Sequence, residues 1–142
     1  MDPTQTILLV EDDPILSESI SELLADAGYL VATAPHGAAA LDYLHTNAAP
    51  HLILLDLMMP VLDGFAFRRA QLRNRAFARI PVIVLSAIWR NEQICSIGAA
   101  DWFTKPADID ALLQAIASFS RSSVLTGPWD TESGSNLSAL QN

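Results

Sequence analysis

Short runs of consecutive apolar residues alternate along this chain with longer stretches whose apolar positions recur every three or four residues. A strand buried on both faces of a parallel sheet needs the first pattern, and a helix covering that sheet needs the second. Residues 7–10, 29–34, 52–55, 81–85 and 102–104 read as strands. Residues 14–27 place Ile15, Leu16, Ile20, Leu23, Leu24 and Ala27 on one stripe before Gly28 supplies the stop, and residues 37–46 turn Leu41 and Leu44 inward. Further helices are predicted over residues 64–73, over a short stretch near 92–97, and from 107–108 onward. In the last of these, Ile109, Leu112, Leu113, Ile116 and Phe119 share a face and Asp108 is the expected N-cap. Five strands alternating with five helices predict an α/β fold with a doubly wound parallel sheet. From Ser122 the periodicity gives way to a Ser/Gly-rich text, so residues 1–121 read as one domain and 122–142 as a flexible tail.

Polar residues close four of the apolar runs: Glu11-Asp12-Asp13, Asp56, Ser86 and Lys105. In open α/β sheets, ligand chemistry collects at the carboxyl ends of the strands, so four polar strand ends predict one site.

Composition narrows the classes. The 142 residues suit one domain, and 16 acidic against 8 basic residues give a formal charge of -8. No Lys/Arg-rich stretch that could track a phosphate backbone stands out, so direct nucleic-acid binding is disfavoured. The opening lacks a signal-peptide pattern and no apolar run approaches a membrane span, which reads as soluble and cytoplasmic with no membrane insertion. A mean hydropathy of +0.28 is what a sheet buried on both faces brings with it. The lone Cys95 is read as packing, and His36, His45 and His51 as structural or surface residues without metal-ligand spacing.

Glu11, Asp12 and Asp56 in one crevice would repel one another when ionised, which favours a bound cation or a raised pKa. An all-oxygen donor set selects a hard ion, Mg²⁺ or Mn²⁺, over zinc. Mg²⁺ keeps coordination sites for water and phosphate oxygen, and Asp56 as nucleophile would form an acyl phosphate. Ser86 offers a hydroxyl and Lys105 a fixed ammonium to the transferring oxygens. Pro106 pushes Lys105 out of helical backbone angles.

Val10-Glu11-Asp12-Asp13, Leu55-Asp56-Leu57-Met58-Met59-Pro60 with Asp63-Gly64, Leu85-Ser86-Ala87 and Lys105-Pro106 resemble the receiver domain of bacterial two-component response regulators, over about residues 5–121. The resemblance implies a flavodoxin-like, five-stranded sheet of order 2-1-3-4-5 and a chemotaxis-regulator-like, stand-alone protein. It implies that Asp56 accepts a phosphoryl group from a sensor histidine kinase or histidine phosphotransfer protein. Glu11 and Asp12 would hold the metal with Asp56 and the backbone carbonyl of Met58, and Asp13 looks like an extra carboxylate. Ser86 would move to the phosphoryl oxygens, with Trp102 as the switch aromatic. Pro60 and Gly64 would shape the loop, Gly64 through its backbone freedom.

The chain would then catalyse only its own phosphorylation and dephosphorylation, signalling by phosphorylation-controlled binding of a downstream protein as a monomer or weak dimer. A phosphorelay intermediate that passes the group onward is the alternative. A metal-dependent phosphatase is disfavoured because Leu57 and Met58 offer no general acid. Two departures from the family stand out: the span from Ser86 to Trp102 is about three residues short, which shortens the fourth of the five helices, and Ala107 replaces a common Phe.

Overall fold

The computed structural model describes residues 5–57, 59, 63–86, 98–105 and 108–125, the side chains only as far as residue 119. Its elements run β1 (Thr6–Val10), α1 (Pro14–Asp26), β2 (Leu30–Ala34), α2 (Gly37–Thr46), β3 (Leu52–Leu55), α3 (Gly64–Arg73), β4 (Val82–Ser86), β5 (Asp101–Thr104) and α4 (Ile109–Leu125). All strands are parallel, as the sequence pattern predicts, in the order β2-β1-β3-β4-β5 that the resemblance implies.

Strand alternation divides the core into two layers. Leu8, Val10, Ile53, Leu55, Val82 and Val84 meet Ala40 and Leu44 of α2 and Phe67 of α3 on one face. On the other, Ile7, Leu9, Leu52, Leu54, Ile83 and Leu85 meet Ile20 and Leu24 of α1 and Leu112 and Ile116 of α4. Both faces being covered explains the unbroken apolar runs.

Local chemistry sets the helix ends. Asp13 accepts from the backbone N–H of Ile15 and Leu16 and so caps α1, with Pro14 at the first turn. The extra carboxylate is thus a cap. Gly28 ends the turn after α1 at φ 102°, a conformation open to glycine. His36 Nδ1 accepts from Ala39 N–H to cap α2, His51 Nδ1 accepts from Thr6 N–H, and His45 packs edge-on against Phe77. The histidines are structural, as expected. Asp63 caps α3, and Asp108 accepts from Ala111 N–H at the start of α4.

Several expectations need correction. The inward stripe of α1 is narrower than the apolar pattern: Ile20 and Leu24 are buried and Leu16 packs beside them, whereas Ile15 is 77% exposed and Leu23 38%. At about 100° per residue, Ile15 falls about 140° from the centre of the face shared by 16, 20 and 24, whereas Leu23 lies at its edge, about 20° beyond Leu16. Helix α4 runs to Leu125, past the break placed at Ser122, because two serines do not stop a helix without a Gly or Pro signal. β4 includes Ser86 and β5 starts at Asp101, each a residue off the expected bounds. The helix expected near 92–97, the shortened region around it, Cys95, Met58, Pro60, Ala107 and most of the tail lie outside the described residues.

Candidate phosphoryl-acceptor site

Backbone hydrogen bonds bring the strand ends together. Asp56 N–H donates to Val10 O, Glu11 N–H to Ala34 O, and Lys105 N–H to Ser86 O. Each polar residue is therefore held beside its neighbour by the ladder that pairs the strands below it. Carboxylate oxygens of Glu11, Asp12 and Asp56 lie within 4.8 Å of one another. Glu11 and Asp56 are buried, at 3% and 4% exposure, while Asp12 faces solvent.

Lys105 Nζ lies 2.7 Å from Glu11 Oε1 and 3.2 Å from Asp56 Oδ2, so one ammonium bridges both buried carboxylates. Burial acts most strongly on Glu11 and raises its pKa, the negative charge of Asp56 adds to that, and the Lys105 and Asp13 N–H hydrogen bonds offset only part of it. For Lys105, burial alone would lower the pKa, but the hydrogen bonds and charges of Glu11 and Asp56 outweigh it and the net shift is upward.

Ser86 is fully buried at the end of β4, the strand that lies between β3 and β5. Trp102 lies opposite Val84 in β5 and packs, half-buried, against the core layer that holds α2 and α3. The structure therefore brings together Glu11, Asp12, Asp56 and Lys105, sets Ser86 at the same edge of the sheet, and leaves Trp102 two residues down β5.

Gly64 has a different role from the one expected. A Cβ there would lie 2.6 Å from both Asp56 O and Leu57 Cα. The first turn of α3 rests on the backbone of Asp56, and only glycine leaves room, so space decides and not backbone freedom.

The model of the response regulator receiver domain matches residues 7–117. The chain belongs to this family. Among curated relatives, this receiver domain is 36% identical over 118 residues to the DNA-binding dual master transcriptional regulator RpaA of Synechocystis, covering 81% of this chain and 48% of that protein. It is 37% identical over 108 residues to the transcriptional regulatory protein BaeR of Escherichia coli, covering 72% and 42%. The chain thus spans about half the length of the curated relatives it matches. Among solved structures it resembles the receiver domain of a Francisella response regulator, with TM-score 0.76 and 29% identity over 84% of this chain and 99% of that one. It also resembles the receiver domain of the sensor histidine kinase PA1611 of Pseudomonas aeruginosa, described with magnesium coordinated in its active-site cleft, with TM-score 0.77 and 28% identity over 84% and 99%. Receiver domains are signalling proteins, distinct from enzymes that turn over a separate substrate. No described helix is long and apolar enough to cross a membrane.

Two features of α3 escaped the sequence reading: Arg68 and Gln71 are buried, at 7% and 0% exposure. Arg68 Nη1 donates to Gln71 Oε1 and Nη2 to Gly98 O, while Gln71 Nε2 donates to Phe77 O and Ile80 O. The helix that rests on Asp56 thereby also grips the connections leading into β4 and β5.

Glu11 yields a prediction with a definite sign. A carboxyl whose folded pKa is raised stabilises the fold fully below its ordinary value of 4.5, and that contribution is lost as pH rises through the raised value. Ionised Glu11 is therefore a liability to the metal-free fold. Glu11→Gln is expected to raise the melting temperature at neutral pH without metal and to remove most of the further rise caused by Mg²⁺. Thermal melts of both proteins with and without Mg²⁺ check this, and a metal-free variant that melts below wild type would contradict it.

Proposed function

We propose that Asp56 accepts a phosphoryl group from a phosphohistidine on a sensor histidine kinase or histidine phosphotransfer protein, and that the phosphorylated domain signals by changing its affinity for a downstream protein. The observation that carries this reading is the cluster itself, with three carboxylates within 4.8 Å and Lys105 Nζ bridging the two buried ones.

Glu11, Asp12 and Asp56 suit Mg²⁺ or Mn²⁺, since every donor is a carboxylate oxygen and two are buried with more negative charge than Lys105 neutralises. The backbone carbonyl of Met58 would complete the set. The ion would neutralise charge on the phosphoryl oxygens during transfer.

An Asp56 carboxylate oxygen bonds to phosphorus as the phosphorus–nitrogen bond breaks, and the departing imidazole keeps the electron pair. Lys105, on Asp56 Oδ2 before transfer, swings its ammonium to a phosphoryl oxygen; Ser86 supplies a hydroxyl to another. Trp102, beneath Ser86 on the neighbouring strand, follows that movement as the switch aromatic. Residues 126–142, past the last residue of α4, act as a tail beyond the receiver.

The test is incubation with acetyl phosphate and Mg²⁺ followed by mass analysis of wild type and Asp56→Ala. Wild type gains the mass of one phosphate and the variant gains none; a gain in both rules out Asp56 as the acceptor.

A further inference from the structure

The acidic chain holds a local inversion of charge that its net value of -8 hides. Residues 64–81 carry five of the chain's eight basic residues, all arginine, and no Asp or Glu. Arg68 points inward to Gln71 and Gly98, but Arg69, Arg73, Arg75 and Arg79 are exposed. Among the described residues, none of these four makes an ion pair, whereas Lys105 makes two. Arg69 and Arg73 are four apart on α3, so they share a face, with Leu72 beside them 46% exposed. Arg75 and Arg79 continue the patch in the turn after the helix.

We propose that this arginine face of α3 and the following turn docks an acidic segment of another protein that carries an apolar residue for Leu72. Three arguments favour that occupant. Guanidinium groups hold carboxylates, and phosphates equally, through a planar fork, and the patch contains no lysine, so its occupant is an oxyanion. Leu72 gives it an apolar centre, which a carboxylate-bearing peptide can cover and a phosphodiester backbone cannot. The remaining chain, strongly acidic, repels an extended polyanion at long range more than a short segment.

A second copy fits less well. The acidic stripe Glu18, Glu22 and Asp26 is exposed on α1, but α1 and α3 cover opposite faces of the sheet. Pairing them between copies would be head-to-tail and would build a ring or a filament, not the two-fold dimer that is commonest among oligomers.

The experiment is fluorescence anisotropy of the full chain with a labelled, short glutamate-rich peptide containing one leucine, beside a duplex DNA of matched charge. Arg69→Gln/Arg73→Gln is expected to weaken peptide binding about tenfold, the sum of two exposed charge pairs. Leu72→Ser weakens it about threefold, as partial loss of a buried apolar contact does. All of these positions are on the surface, and unchanged thermal melts of the variants establish that they fold. Equal peptide binding by wild type and the double variant overturns the proposal. So does tighter binding of the DNA, or self-association in sedimentation that the arginine variant abolishes.

Discussion

Lys105→Met is expected to cost the metal-free protein about 2–3 kcal/mol at pH 7, below the 3–5 typical of a broken buried pair because the lysine is partly open to solvent. The loss arises from two carboxylates, at 3% and 4% exposure, that lose their shared cation and repel each other. The sign follows from Lys105 itself: its pKa is raised, so its stabilisation is complete below the ordinary value of 10.5 and fades only as pH rises through the higher one. Saturating Mg²⁺ should return much of the stability in the variant, since binding to the folded state alone stabilises by mass action. Phosphoryl uptake should not recover. Removing one preorganised partner of developing charge typically costs about 10²-fold or more in rate, which sets the expected fall in acetyl phosphate reactivity. Urea titrations with and without Mg²⁺, together with the rate of mass gain, separate the two effects. A variant as stable as wild type without metal would mean that the 2.7 Å and 3.2 Å contacts contribute nothing net.

These contacts were legible before the structure because strand-end chemistry depends on sequence position in a simple way. An apolar run identifies a strand, and the first polar residue after it lies at the carboxyl edge, so Glu11, Asp56 and Lys105 had to converge once the sheet was parallel. Which residue paired with which was not legible. Lys105 reaches Glu11 more closely than Asp56, and that depends on side-chain reach across three strands. Gly64 was expected to act through backbone freedom, which is a local property, whereas its close approach to Asp56 O is a tertiary fact. Ile15 and Leu23 show the opposite limit: hydrophobicity placed them inward, but the helix had only enough sheet beneath it for the face of Leu16, Ile20 and Leu24.

The buried polar pair in α3 was missed for an instructive reason. Positions 64, 67, 68 and 71 form an i, i+3, i+4, i+7 stripe, the signature of an inward face, but two of the four residues are Arg and Gln. Polarity overrode position in the sequence reading.

The arrangement predicts strongly non-additive mutants. Gln71→Leu alone is expected to cost about 3 kcal/mol, because Ile80 O loses the Gln71 donor, Phe77 O is left with only the N–H of Ile80, and the buried Arg68 guanidinium loses an acceptor. Arg68→Met alone is milder, since Gln71 keeps both carbonyls and burial already lowers the arginine's pKa, the mark of a charge held at a cost. With both replaced, no buried charge remains beside an apolar partner, and the double variant should be more stable than the sum of the singles by about 1–2 kcal/mol. Chemical denaturation of the four proteins measures the cycle. Additivity to within about 0.3–0.5 kcal/mol would show that the two side chains act independently and would remove the strut between α3 and the entries to β4 and β5.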